Sequence, residues 1–213
     1  MLSTETPDRK PYHHGALKES AIEEGTRLLQ ENGVSKFSLR EVARRLGVTP
    51  TALYHHFPDK EDLLAELARG GLGQFQEMLA AALQGAKPGD GLAAMGLAYI
   101  RFFAERPYYM DLLFRPATKQ DESVRDIWTN TFQLVETNLL ALGMSETEAP
   151  LFGIWLWSGV HGLAGMLRDR ILGNPEACGP DAPGVFLMTG DELVQSVVPL
   201  VGRLIGTIPT LPR

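Results

Sequence analysis

The sequence predicts an all-α protein: a three-helix N-terminal domain followed by a larger helical domain. Three observations predict it. Apolar residues recur three and four apart along most of the 213 residues, and no run alternates with the period of two that a half-buried strand needs. Residues that cap helices open the periodic stretches, as at Ser38, Thr49, Asp59 and Ser145. Glycine or proline closes them, as at Gly33, Gly47, Pro107 and Gly143.

Residues 1–12 are polar, carry two prolines and read as a frayed arm. A first helix is expected over about 13–32, with Leu17, Ala21, Ile22, Leu28 and Leu29 at helical spacing and Asn32-Gly33 as its stop. Val34 and Phe37 pin the link that follows. Ser38 and Glu41 have capping-box spacing, and Leu39, Val42, Ala43 and Leu46 share one face. Gly47 suits a left-handed helix end, Thr49 caps the next helix, and Pro50 fits its first position. Leu53 and Phe57 point inward, which leaves Thr51, Tyr54 and His55 on other faces. Residues 38–57 therefore form a helix-turn-helix arrangement.

Two short amphipathic helices joined at a glycine can also be plain bundle structure. The charge distribution weighs against that alternative. Lys36, Arg40, Arg44, Arg45 and Lys60 gather around the unit. Residues 1–60 hold nine Lys/Arg against eight Asp/Glu, a net +1, while residues 61–213 hold eleven against eighteen, a net −7. The acid of the chain lies away from this end, as expected if only this end meets phosphate.

The fourth helix starts at Asp59, with Asp62 three residues on, and runs to about 84 through Leu63, Leu64, Leu67, Phe75, Met78 and Leu79. Its first turn offers a phosphate site beside Lys60, and Gly70-Gly71 is expected to loosen it midway. After the break at 87–91 come helices over about 91–106, 107–115, 118–142 and 146–172, the last behind a Ser145–Glu148 capping box. A loop over 173–188 leads to a final helix that Thr189 caps, that Pro199 kinks and that ends near 206. Leu151 to Leu167 lacks any charged residue but is short for a span and holds four glycines, so a buried or interface helix is expected there rather than a membrane segment.

Leu46-Gly47-Val48-Thr49-Pro50-Thr51-Ala52-Leu53-Tyr54-His55-His56-Phe57-Pro58-Asp59-Lys60-Glu61-Asp62-Leu63-Leu64 resembles the signature of the TetR family of bacterial transcriptional regulators. Residues 13–70 are similar to that family's DNA-binding domain, and 71–213 then correspond to its helical ligand-binding and dimerisation domain. The resemblance implies a homodimeric repressor that binds a palindromic double-stranded operator and is released by a small-molecule effector. It implies groove contacts from Arg40, Thr49, Thr51 and His55, with Pro50 and Ala52 packed beside them, and phosphate contacts from Lys36, Ser38, Tyr54, His56 and Lys60. Ala52 stands where many relatives carry a hydroxyl, which removes one phosphate contact. Trp157-Ser158-Gly159-Val160-His161-Gly162 resembles the Trp-His-Gly element that names one class of C-terminal domain, and Pro107 to Phe114 is similar to that class too. The rival reading is an activator or architectural DNA binder whose C-terminal domain only dimerises.

No enzyme is expected. The chain has no Gly-rich phosphate loop, no His-Glu-x-x-His and no Gly-x-Ser-x-Gly. Ser158 and His161 share a helix face, but that spacing does not aim a hydroxyl at an imidazole. No cofactor is expected. His13-His14 lacks a second ligand cluster for a metal, and Cys178, the one cysteine, has no resolving partner. A polar start without a secretory signal and a single cysteine predict a cytoplasmic protein with no membrane partner.

Large adaptable side chains spread over the C-terminal helices suit a mostly apolar ligand: Tyr99, Phe102, Phe103, Tyr108, Met110, Phe114, Trp128, Phe132, Trp155, Trp157 and Met166, with His161 as the polar candidate. Plain core packing is the alternative for each. Gly153, Gly159, Gly162 and Gly165 each cost helix stability, which predicts close approach of another helix. Together with Val194, Val197, Val198, Val201 and Ile205 they mark the expected dimer interface.

Overall fold

The computed structural model describes residues 14–87 and 89–172, together with Met188, Glu192 and Ser196. The described residues form nine α-helices and no strand. Of the expected final helix only Glu192 and Ser196 are described, and Val194, Val197, Val198, Val201 and Ile205 lie outside the described residues, as does Cys178. The chain divides into two compact units, Met1–Leu67 and Ala68–Arg213, so the boundary falls inside the fourth helix.

The first unit holds α1 (His14–Asn32), α2 (Leu39–Leu46), α3 (Pro50–Tyr54) and the opening turns of α4 (Lys60–Gly85). Leu28 and Leu29 of α1, Val42 and Ala43 of α2, Leu53 of α3 and Leu63 of α4 are fully buried, and Phe37 and Phe57 join them. Each such leucine or phenylalanine contributes about 1.5–3 kcal/mol by leaving water. A single 3-10 turn, Val34–Lys36, links α1 to α2.

The turn residues act largely as their chemistry predicts. Gly47 closes α2 in the left-handed region at φ 68°, and Thr49 Oγ1 accepts from the Ala52 amide at 3.3 Å to open α3. Asp59 Oδ1 accepts from the amides of Glu61 and Asp62, and Asp62 Oδ2 accepts from the Asp59 amide at 3.0 Å, a reciprocal cap on α4. The expected Ser38–Glu41 box does not form: the Ser38 side chain makes no capping bond. The Glu41 carboxylate is taken instead by Arg44, at 2.7 and 2.8 Å, and by Arg45 at 3.0 Å. Charge-assisted bonds to two guanidiniums outweigh one bond to a neutral amide.

The second unit holds the rest of α4, α5 (Gly91–Glu105), α6 (Pro107–Leu113), α7 (Pro116–Gln120), α8 (Glu122–Ala141) and α9 (Ala149–Arg168). Its centre is aromatic. Phe75 of α4 is fully buried, with ring centroids 5.2–5.9 Å from Tyr99, Phe102, Phe103 and Trp128. Gly70-Gly71 does not interrupt α4. Gly71 permits close approach instead, because a Cβ there would collide with the Tyr109 ring. The helix expected over 118–142 is split in two. Asp121 stands between α7 and α8 in extended backbone, its Oδ1 accepting from the Val124 amide at 3.1 Å and its Oδ2 paired with Arg69 at 2.5 Å. The reciprocal Ser145–Glu148 bonds form, but they close a turn and do not cap the helix: α9 begins at Ala149, and its N-cap residue Glu148 makes no side-chain capping bond.

Candidate functional site

In the first unit, the apolar sides of α2 and α3 are spent on the core, so their remaining side chains define the outer surface. Arg40 in the first turn of α2 is exposed, as are Thr49, Pro50, Thr51, Tyr54 and His55 around α3. Lys36 and Lys60 flank them and are also exposed, whereas Ser38, Ala52 and His56 are half-buried. All the residues that the sequence nominates for DNA contact belong to this one unit.

The basic cluster is smaller than its residue count. Arg45 donates to Glu31 at 2.7 Å and reaches Glu24 at 3.3 Å, in addition to its bond to Glu41. The Glu41 carboxyl is held at about 2 by its hydrogen bonds to Arg44 and Arg45. Both arginines are thus matched by carboxylates. Arg40 and Lys36 have no ion-pair partner among the described residues, and they carry positive charge that faces outward.

Two cavities stand out in the second unit. The first, of about 70 Å³, is lined by Leu79 of α4, Leu92, Met95, Gly96 and Tyr99 of α5, Trp128, Thr131, Phe132 and Val135 of α8, and Gly153, Leu156, Trp157 and Val160 of α9. No charged side chain lines it. The second, of about 300 Å³ and more open, is lined by Met110, Asp111, Phe114, Arg115, His161 and Arg168. Of the sequence-nominated ligand residues, Tyr99, Trp128, Phe132 and Trp157 line the first cavity, and Met110, Phe114 and His161 line the second. Phe102 and Phe103 are instead core, fully buried against Phe75. Tyr108 lines neither cavity and packs on Tyr109 at 4.8 Å. Trp155 is 53% exposed, with its ring on Phe152 at 5.2 Å, and Met166 is exposed as well.

Tyr99 Oη and His161 Nδ1 are hydrogen-bonded at 2.8 Å. Burial raises the Tyr99 phenol well above its usual range, and burial, with the charges of Arg168 and Lys119, lowers His161. A histidine held below its unfolded value of about 6.5 is protonated first in the unfolded chain. Stability linked to His161 is therefore full above that value and is lost as pH falls through the lower folded value. Thermal melting of a His161→Gln variant is expected to show a smaller loss of stability between pH 7 and pH 5 than the wild type shows. Equal losses would remove His161 from the acid response.

The family model described as bacterial regulatory proteins of the tetR family matches residues 21–67, which take in α2, its turn and α3. A second, described as a tetracyclin repressor-like C-terminal domain, matches residues 92–180, which hold nearly all of α5 and then α6 to α9. The chain belongs to the TetR family. It is 26% identical over 113 residues, 53% of its length, to the uncharacterized HTH-type transcriptional regulator YobS of Bacillus subtilis. It is 36% identical over 81 residues, 37% of its length, to the HTH-type transcriptional regulator AcrR of Shigella flexneri. The chain spans 59% and 36% of those two relatives' lengths. A solved structure of a protein of unknown function from Rhodococcus sp. RHA1 shares the fold, with a TM-score of 0.72 at 24% identity over 92% of this chain and 98% of that one.

Sequence reasoning missed several cavity residues of this TetR-family chain. Thr131 and Val135 on α8, and Gly153 and Val160 on α9, stand three or four residues from the aromatic lining residues of the same helix, and Leu156 stands three from Gly153 and four from Val160. That spacing would have found them had aromatic size not been the criterion. Arg115 and Arg168 had no comparable signal, because arginines near helix ends usually face solvent.

Proposed function

We propose that the protein is a homodimeric, ligand-responsive repressor that binds a palindromic DNA operator through α2 and α3. The observation that carries this reading is the outward face of the helix-turn-helix, where Arg40, Thr49, Thr51, Tyr54 and His55 stand exposed over a core closed by Leu53 and Phe57. Arg40, Thr49, Thr51 and His55 enter the major groove, with Pro50 and Ala52 against it, while Lys36, Ser38, Tyr54, His56 and Lys60 meet phosphates. The chain works where the DNA is, in the cytoplasm, and has no catalytic role. Among the described residues no helix is long and apolar enough to cross a membrane.

The outer face of α9 supports the dimer. Leu151, Ile154, Trp155 and Met166 are exposed along it, and a Cβ on Gly159, Gly162 or Gly165 would meet nothing within 4 Å. Each helical glycine costs about 0.5–1 kcal/mol relative to alanine. No described neighbour in the same chain calls for these three, and the α9 of a second copy does. Gly153 is different: it is buried against Val135 and Leu139 of α8, so its small size serves packing within the chain.

The apolar cavity supports sensing over the rival in which the C-terminal unit only dimerises, since that rival is best served by a solid core. Trp157 and His161 line the cavities, which supports assignment to the Trp-His-Gly class. Leu79 lines the apolar cavity on the helix that Lys60 opens, so a ligand that displaces α4 acts on a phosphate contact. A tenfold loss of operator affinity requires about 1.4 kcal/mol of differential binding.

Two substitutions test the DNA contacts. Arg40→Ala is expected to cost ~1–3 kcal/mol on the operator and to relax preference at one base position. Lys60→Ala is expected to weaken all sequences alike and to lower the salt slope by about one. Equal loss from Arg40→Ala on operator and random DNA would make that residue a phosphate contact.

A further inference from the structure

The two cavities of the second unit share a wall made by Tyr99 and His161. Tyr99 lines the apolar cavity, His161 lines the more open one, and the two side chains are hydrogen-bonded at 2.8 Å. Trp157, which lines the apolar cavity, lies 5.2 Å from the His161 ring, and Phe114, which lines the other, lies 4.5 Å from it, centroid to centroid.

The chemistry changes across that wall. The apolar cavity has no charged lining and is too small, at about 70 Å³, for a sizeable molecule unless a wall residue moves. The second cavity, of about 300 Å³, is lined by Arg115 and Arg168, and Lys119 stands over the Phe114 ring at 5.6 Å. Asp111 and Asp169 are bonded to Arg168 at 2.9 and 2.7 Å, and both are exposed. Exposed pairs of this kind are weak, so an incoming anion can compete for Arg168. When the Tyr99 phenol donates to His161 Nδ1, the ring keeps its Nε2–H as a donor. The indole N–H of Trp157 is buried near the Tyr99 hydroxyl, with an approach that falls short of hydrogen-bond geometry.

We propose that the second unit binds an organic monoanion with an apolar body, its body in the apolar cavity and its carboxylate against Arg115, Arg168 and His161. The proposal rests on the reading of this unit as the sensing unit and names the ligand class. Parting of Tyr99 from His161 joins the two volumes, and the Trp157 N–H is then available to the neck of the ligand.

The test titrates the full-length chain with saturated carboxylates of increasing chain length and with the matching primary alcohols, read by tryptophan fluorescence. At the best length the carboxylate is expected to bind at least about tenfold tighter than its alcohol, the effect of one charge-assisted contact. An Arg115→Gln/Arg168→Gln double variant is expected to lose that preference while keeping its affinity for the alcohol, which also shows that it is folded. Alcohols binding as tightly as carboxylates, or a preference that survives the double variant, would overturn the anionic head and leave the sensing reading intact. Binding of neither series would overturn the proposal as well. The sensing reading then stands or falls separately, on whether Val160→Phe, which fills the apolar cavity from α9, changes operator affinity.

Discussion

Replacing Ile154 and Trp155 with glutamate is expected to convert the protein to a monomer and to weaken operator binding by at least about 100-fold. Both side chains are half exposed on the outer face of α9, at 50% and 53%, so the change leaves the core of the unit untouched. In a dimer that joins α9 to α9, four carboxylates would enter an apolar interface without partners, and burying an unpaired charge costs several kcal/mol. The loss at the operator follows from geometry. One half-site bound by one copy holds the second copy close to the other half-site, and a monomer forfeits that effective concentration. Sedimentation of the variant and fluorescence anisotropy on operator DNA measure both effects. A variant that stays dimeric, with unchanged helix content, would remove α9 from the interface.

Phe75→Ala is expected to destabilise the second unit by about 3–5 kcal/mol. The Phe75 ring is fully buried and packs against four other aromatic rings, so truncation leaves a cavity bounded by residues from α5 and α8 that cannot all collapse into it. Favourable ring pairs add about 0.5–1.5 kcal/mol each beyond the area lost. Urea unfolding followed by tryptophan fluorescence reads the change through Trp128 and Trp157. A loss below about 1 kcal/mol would mean that the aromatic centre repacks around the gap.

The local devices of the first unit were legible because each is written within a few residues. Gly47 is left-handed, Thr49 caps α3 and Asp59 caps α4, all from chemistry that acts over short spans of chain. The devices that escaped depend on distant or competing partners. Asp121 divides α7 from α8 with no glycine or proline to mark the break, and the arginine that pairs with it is Arg69, on a different helix. The Ser38–Glu41 box lost its carboxylate half because Arg44 and Arg45 take Glu41, and the Glu41 amide donates to the Ser38 carbonyl at 3.1 Å. Helical spacing identified aromatic faces but not what stands opposite them. It therefore could not separate Phe102 and Phe103, which close the core, from Phe132 and Trp157, which line a cavity. The cavity of Arg115 and Arg168 draws on α6, α9 and the link after α6, and no local pattern joins those three stretches.

The most direct test of the central claim, sequence-specific DNA binding by a two-fold dimer, is to select fragments from random DNA with the full-length chain and then measure affinity for the selected and the random sequences at one salt concentration. The account predicts a palindrome whose half-sites are centred ~34 Å apart along the duplex, bound at least about 10³-fold tighter than random DNA. Equal affinity for selected and random DNA, or selected sites without two-fold symmetry, would contradict it.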